Sequence, residues 1–317
     1  MSKFYIKKIS EINKDKLLKF YKNTFLYKEE ILENYYWRYR LNFNSFEPLI
    51  LLIDDEICGH AGLIPIILKI KNIKKEAIWF TDFFINQEHR TQGYGKLLTE
   101  EWMKICPIQI TLCNDQSLRV FKKLKWTNNN KFSRKINFNN ILKVFPNFKY
   151  FKNTDEILKE TDNFEIIELN NSTISDLVEL NDRKQSEEPL CIYRDESWFR
   201  WRLIDCPYKK DIYILKNRDD YFIVHIKIKN KYKILNIIYS STTITRELQK
   251  KISDFSKKNR IHFFAYISNE KKMMDSFMPW DRKLNFAFFS NDSNVVNGIN
   301  SELNNVQYID SDLDYID

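Results

Sequence analysis

Residues 78–98, IWFTDFFINQEHRTQGYGKLL, carry the strongest fold signal in this chain. An apolar run of strand character is followed by a short polar turn, a loop with Gly93 and Gly95, and the start of a helix. The chain has only 5 glycines in 317 residues, where an average usage of roughly 7% would give about 20. Two of them in one loop predict a backbone requirement there, either a positive φ or the close approach of a ligand to the main chain.

This loop is predicted to form an anion-binding site. A strand that passes through a short loop into a helix gathers several backbone N–H groups at the helix N-terminus, which suits a pyrophosphate. The alternative is an ordinary strand-to-helix turn without a ligand.

The loop and its surroundings resemble a known family. The run RTQGYG at 90–95 resembles the R/Q-x-x-G-x-G/A signature of the GNAT N-acetyltransferase superfamily. The run at 82–90, DFFINQEHR, is similar to the superfamily's D-L-x-V-x-P-x-x-R pattern, with Gln87 in place of the usual proline. The run at 114–126, NDQSLRVFKKLKW, resembles its N-x-x-S/A…K-L-G-W/F motif, with Lys125 where glycine is usual.

The resemblance covers residues 1–138 and implies acetyl-CoA or a longer acyl-CoA as co-substrate, with no metal. The amides of the glycine loop would hold the pyrophosphate, and main-chain groups near Phe84 and Ile85 would pair with the pantetheine arm. One of these amides would polarise the thioester carbonyl. The implied donor-site residues are Phe84, Ile85, Arg90, Gln92, Gly93, Tyr94, Gly95, Lys96, Asn114 and Phe121.

The implied reaction is direct attack of a neutral amine on the thioester, so a base or a water chain must accept the amine's proton. Asp82 is the first candidate for that base and His60 the second. Each also has a structural alternative, since a carboxylate at a strand end or a histidine on an apolar strand is commonly held by hydrogen bonds. The tyrosine that usually protonates the leaving thiolate is replaced by Phe121.

The order of predicted elements repeats along the chain. The segment WRYRL at 37–41 matches FRWRL at 199–203, and His60 has a counterpart in His225. The run STTITREL at 241–248, however, contains no glycine at the place of the loop. We therefore predict an α/β (α+β) fold of two tandem GNAT-like domains, each with a mixed, mostly antiparallel central sheet flanked by helices. The predicted division is a donor domain at 1–140, a connector at 141–162 and a degenerate copy at 163–317.

Composition limits the partners. The net charge of +8 and the 15% aromatic content suit a ligand that carries phosphate and a flat ring, while the lysines are scattered rather than gathered into a nucleic-acid-binding tail. The five cysteines form no CxxC spacing and are expected to be reduced thiols. The first fifteen residues have no apolar signal segment, and no apolar run approaches the roughly 20 residues needed to span a bilayer. We expect a cytoplasmic protein with no membrane partner.

The identity of the acceptor is predicted from resemblance alone. The tandem layout is similar to bacterial sugar-nucleotide N-acyltransferases of surface-glycan pathways, which implies a nucleotide-linked amino sugar. The residues proposed to bind it are Trp37, Arg40, Trp201, Arg202 and His225, for which a buried helix or strand face is the alternative. Three other functions stay open: N-acyl transfer to a peptide, polyamine or other small amine, a non-enzymatic acyl-CoA-binding regulator, and tRNA-dependent aminoacyl transfer.

Overall fold

The computed structural model describes residues 3–25, 29–43, 46–138, 158–229, 232–269 and 280–310. Most of the predicted connector at 141–162 lies outside these ranges. The described residues fall into two compact units. The first comprises residues 1–128, 189–193 and 286–302, and the second comprises residues 129–188, 194–285 and 303–317.

The first unit is built on a sheet in the order β1-β2-β3-β4-β5-β15-β6, with β9 beside β3. Strands β1 to β4 pair antiparallel, whereas β4 and β5 run parallel. The bounds of these strands are β1 Phe4–Lys8, β2 Leu49–Ile53, β3 Glu56–Ile70, β4 Ile73–Ile85, β5 Ile108–Cys113, β6 Thr127–Asn129, β9 Leu190–Ile192 and β15 Asn285–Ser290.

The helices of this unit bury apolar faces against that sheet. Trp102 and Leu98 of the helix after the glycine loop are fully buried, in one cluster with Ile78 and Phe80 of β4. Full burial of a Leu, Ile or Phe side chain contributes about 1.5–3 kcal/mol. The helices are α1 Lys14–Thr24, α2 Glu29–Glu33, α3 Tyr35–Arg38, α4 Tyr94–Met103, α5 Asp115–Lys123 and α9 Ser293–Ser301.

The second unit repeats this plan on a sheet in the order β14-β7-β13-β12-β11-β10-β8. Its strands β12 and β13 run parallel, as β4 and β5 do in the first unit. Its elements are β7 Ser133–Phe138, β8 Glu165–Ile167, β10 Ile212–Asn217, β11 Asp220–Lys229, β12 Tyr232–Ser240, β13 Phe263–Ser268, β14 Trp280–Lys283, α6 Asn171–Glu187, α7 Glu196–Phe199 and α8 Arg246–Lys258. The predicted fold class is thereby confirmed.

The units differ from the contiguous division predicted at residue 140, because they exchange strands. Strand β7 lies within the predicted donor domain at 1–140, but it pairs with β13 and β14 in the second sheet. Strand β15, near the end of the chain, lies between β5 and β6 in the first sheet. Hydrophobic periodicity identifies such a segment as a strand, but it does not specify the partner strand.

Among the described residues, no helix combines the length and apolar character needed to cross a membrane. Within the same ranges, no group of three or more His, Cys, Asp or Glu side chains is placed to hold a metal ion. All five cysteines are free thiols.

Candidate donor site

Helix α4 begins without a side-chain cap. Its N-cap residue is Gly93, which has a φ of 85° and ψ of −8°, in the left-handed region that favours glycine. A Cβ added at Gly93 would have no atom within 4 Å, so the space beside it is open. The positive φ predicted for the glycine loop is confirmed at this residue.

The amide N–H groups at the start of α4 are available to a ligand. Within the described ranges, no hydrogen bond uses the backbone N–H of Gly93, Tyr94 or Gly95. Unused amides at a helix N-terminus form an anion site, to which the helix dipole adds positive potential. Gly95 has an ordinary φ, and a Cβ there would lie 3.6 Å from Ile85, so packing by itself does not require glycine at this position.

Strands β4 and β5 separate beside this helix. Their parallel pairing extends only over Ile78–Gln109 and Trp79–Ile110, although β4 continues to Ile85 and β5 to Cys113. Among the described residues, β4 therefore has no pairing with β5 beyond Trp79, although Thr111 donates its hydroxyl to the Phe80 carbonyl at 2.8 Å. An extended arm bearing amides fits such an open strand edge.

A β-bulge lies at the widening end of β4. His60 pairs with Phe84 and Gly62 with Thr81, so that Asp82 and Phe83 together face Ala61. Asp82 has a φ of 49°, a conformation that costs a non-glycine residue energy and persists only where surrounding contacts enforce it. The bulge reorients the main chain at this end of β4.

The Asp82 side chain supplies those contacts. Its carboxylate is fully buried and accepts hydrogen bonds from Arg38 Nε at 2.7 Å and from the Tyr39 hydroxyl at 3.1 Å. Burial and the Asp82 charge raise the pKa of Tyr39 well above its usual value, so this hydroxyl remains a neutral donor. The same two causes raise the pKa of Tyr21 nearby.

His60 fixes the main chain of the bulge from the other side. Its Nδ1 lies 2.7 Å from the Asp82 carbonyl oxygen, and its Nε2 lies 3.2 Å from the Tyr21 hydroxyl. A carbonyl can only accept, so Nδ1 donates to it, and Nε2 lies within hydrogen-bond distance of the Tyr21 hydroxyl. The ring is completely buried.

Gly62 permits this close packing. A Cβ at Gly62 would lie 2.8 Å from the Thr81 carbonyl oxygen, 3.0 Å from Tyr39 and 3.1 Å from His60. We expect Gly62→Ala to destabilise the protein by about 1–3 kcal/mol, because a backbone atom of the bulge must move. Urea denaturation measures the effect. The control is Gly298→Ala, whose nearest neighbour is the flexible end of Leu190 at 3.2 Å, and equal losses in the two variants would contradict the prediction.

The sequence comparison agrees with this geometry. Residues 14–126 match the model of the acetyltransferase (GNAT) family. This part of the chain is a GNAT domain. The prediction of an acyl-CoA-dependent N-acyltransferase, with acyl-CoA as co-substrate and an amine as acceptor, is thereby confirmed. No curated protein has a sequence that matches the chain significantly.

Solved structures match both units together. Saccharomyces cerevisiae N-myristoyltransferase with bound myristoyl-CoA has a TM-score of 0.57 at 14% identity, covering 91% of this chain and 83% of that one. A GCN5-related N-acetyltransferase from Kribbella flavida has a TM-score of 0.58 at 10% identity, covering 90% and 71%. One from Anabaena variabilis has a TM-score of 0.55 at 14% identity, covering 90% and 72%. At these identities the likeness concerns the fold.

The other predicted donor-site residues lie around the glycine loop of the GNAT domain. Arg90 donates from Nε to the Ile85 carbonyl at 2.9 Å and so closes the end of β4. Gln92 donates its side-chain amide to the Glu88 carbonyl, and Lys96 lies 3.6 Å from Glu100 on the exposed side of α4. The remaining contacts place the Phe84 ring 5.9 Å from Phe20 and from Phe25, and the Tyr94 ring 5.7 Å from Phe4.

The end of β5 gives the GNAT domain its second helix N-terminus. Asn114 caps α5 by accepting from the Ser117 N–H at 2.8 Å. Phe121 is buried in the core, 5.6 Å from the Phe80 ring and 4.5 Å from the Trp126 ring. Burial raises the pKa of the neighbouring Cys113 thiol to about 12, so this thiol is no nucleophile at neutral pH.

Most of the residues predicted to bind the acceptor are buried. In the first unit, Trp37 is half-buried, and Arg40 is buried with its guanidinium 3.5 Å from the Phe43 ring centre. In the second unit, Trp201, Arg202 and His225 are all buried. The His225 ring lies 4.8 Å from the Tyr208 ring. Their assignment to the acceptor remains a prediction.

Sequence reasoning missed the partners of Asp82. Arg38 and Tyr39 lie in the segment at 37–41, in which only Trp37 and Arg40 were predicted to have a binding role. The one available signal for these contacts was the position of Arg38 among apolar residues of a helix. An arginine that is buried at such a position requires a counter-charge. Nothing in the sequence identifies that counter-charge as Asp82, which is 44 residues away.

Proposed function

We propose that this protein transfers an acyl group from acyl-CoA to the amine of an amino-deoxy sugar linked to a nucleotide. The observation that carries the donor half of this proposal is the uncapped start of α4. Gly93 is left-handed there, and three successive amides have no hydrogen-bond acceptor among the described residues. Those amides would hold the pyrophosphate, and the open edge of β4 would receive the pantetheine arm.

The chemistry is a direct displacement at the thioester carbon. The amine nitrogen forms the new C–N bond, the C–S bond breaks, and the sulfur leaves as the CoA thiolate. Negative charge develops on the carbonyl oxygen, which a β4 amide next to the bulge would stabilise. The proton lost by the amine passes to a base, to water or to the leaving thiolate, so that no acyl-enzyme forms.

Asp82 and His60 were predicted as bases, and their surroundings favour positioning. The Asp82 carboxylate is held by Arg38 and Tyr39, and His60 already donates to the Asp82 carbonyl. A carboxylate beside an arginine is a weak proton acceptor, because the positive charge favours its ionised form. We assign to both residues the task of holding the bulge in its strained conformation.

The charge and composition of the chain support a nucleotide-linked acceptor. A net charge of +8 attracts a diphosphate, and abundant aromatic side chains offer stacking surfaces for a base. The second candidate is acyl transfer to a small amine that carries no nucleotide. An acyl-CoA-binding regulator would bind the donor without turnover.

The experiment has two stages. Acetyl-CoA is expected to raise the melting temperature, and the absence of any shift would remove the donor site. Release of free CoA thiol is then measured with a panel of UDP- and dTDP-amino sugars, against polyamines and short peptides. Turnover confined to the nucleotide sugars supports the proposal, turnover confined to the other amines supports the second candidate, and donor binding without any turnover supports the regulator.

A further inference from the structure

The second unit contains a cavity of about 590 Å³. It lies where β12 and β13 separate: these strands pair in parallel from Ile234–Phe263 to Asn236–Ala265 and then diverge. The first unit has its donor cleft at the corresponding place, between β4 and β5. The cavity is thus the counterpart of the donor cleft in the repeated half of the chain, and its volume suits a small molecule.

The cavity lacks the means to bind a pyrophosphate. Helix α8 starts at Thr245, whose hydroxyl accepts from the Leu248 N–H at 3.3 Å and so caps the helix that a phosphate would approach. The loop before it also uses its amides internally. Ser241 N–H donates to the Tyr221 carbonyl, and Thr242 N–H donates to the Ser240 hydroxyl.

The edge of β12 that corresponds to the pantetheine-binding edge of β4 is also occupied, by the side chain of Gln307. Gln307 accepts from the Ser240 N–H at 2.6 Å and donates to the Ser240 carbonyl at 3.1 Å. Its amide thereby pairs with the main chain of β12 as a neighbouring strand would. The segment around Gln307 is held by the buried pair of Arg194 and Asp310, with contacts of 2.6 and 2.5 Å. This wall of the cavity is therefore fixed.

The remaining lining is acidic and polar. Lys184 is already neutralised, since it lies 3.4 Å from Asp220 and also donates to the Ser241 carbonyl. Glu187, at the end of α6, has no hydrogen-bond or ion-pair partner among the described residues, and Glu188 accepts only a 3.4 Å contact from Asn305 there. The rest of the lining includes hydroxyl and amide groups from Ser241, Thr242, Thr243, Asn269 and Asn304.

We propose that this cavity binds a hydroxylated small molecule through its protonated amine, with Glu187 and Glu188 as the ion-pair partners. Carboxylates bind an ammonium by charge-assisted hydrogen bonds, and the surrounding hydroxyls and amides match sugar hydroxyls. This inference goes beyond the proposed function, because an ammonium held by two carboxylates in the second unit is not the neutral amine that attacks the thioester. Two carboxylates repel a diphosphate, so the cavity takes the sugar end of a ligand rather than its phosphates.

The test is calorimetric titration of the full chain with glucosamine at pH 6.5, in the absence of acyl-CoA, against N-acetylglucosamine, which lacks the charge. We expect glucosamine to bind and N-acetylglucosamine to bind at least about tenfold more weakly. The variant Glu187→Gln/Glu188→Gln should lose about tenfold in glucosamine affinity. The matched control is Glu179→Gln, on the same helix but outside the cavity, and it should bind as the wild type does.

Absence of glucosamine binding, equal binding of the two sugars, or unchanged affinity in the double variant would each overturn this proposal. The acetyl-CoA melting shift of the double variant is measured in parallel and should equal that of the wild type. If glucosamine binds as expected but no acyl transfer occurs, the proposed function fails while the cavity assignment stands.

Discussion

Gly95→Trp is expected to abolish the melting shift produced by acetyl-CoA and to lower kcat/KM by roughly 100-fold or more. The indole would occupy the space in front of the unused amides of Gly93, Tyr94 and Gly95, where the pyrophosphate must lie. A ligand at 100 times its Kd stabilises a protein by about 2.7 kcal/mol, which for a unit of this size corresponds to roughly 5–10 °C in the wild type.

The fold should survive this change, because the nearest atom to a Cβ at Gly95 is Ile85 at an ordinary 3.6 Å. Glu100→Trp is the matched control, since it adds the same side chain to an exposed position of α4 away from the loop. A Gly95→Trp protein that keeps both its acetyl-CoA shift and its turnover would show that the donor binds elsewhere.

Arg38→Met is expected to lower the free energy of unfolding by about 3–5 kcal/mol, because it leaves the Asp82 carboxylate buried without its counter-charge. Asp82→Asn should also be destabilising, since Arg38 then lacks its partner. The double variant Arg38→Met/Asp82→Asn removes both charges. We expect it to be more stable than Arg38→Met, and urea denaturation of the four proteins gives the coupling energy.

The same four proteins distinguish a positioning carboxylate from a base. If Asp82 only holds the bulge, the double variant should regain turnover relative to Arg38→Met, and its pH–rate profile should keep the shape of the wild-type profile. A profile that loses its acidic limb in every Asp82→Asn protein would identify Asp82 as the general base instead. Additive destabilisation would contradict the ion pair itself.

Several features were predictable because they are local. The uncapped helix start follows from Gly93, whose left-handed φ is accessible to glycine at no steric cost. The cap at Asn114 follows from its short polar side chain before an amphipathic run. Hydrophobic periodicity predicted both the repeated order of strands and helices and the fold class.

Other features depend on contacts between distant segments. The sheet to which β7 and β15 belong is set by pairing that periodicity does not encode. The cavity of the second unit depends on Gln307, 67 residues from Ser240, whose side-chain amide takes the place of a strand partner. No motif marks that glutamine.

The donor site could be inferred from local sequence, because a glycine-bearing turn between a strand and a helix needs only about six consecutive residues to present its amides. The surroundings of Asp82 depend instead on contacts between distant segments. Its carboxylate could have been a solvent-exposed base, but folding brings Arg38 and Tyr39 to it and encloses all three. A burial of that kind changes the chemistry of a group through charge and desolvation, and both depend on neighbours that the local sequence does not name.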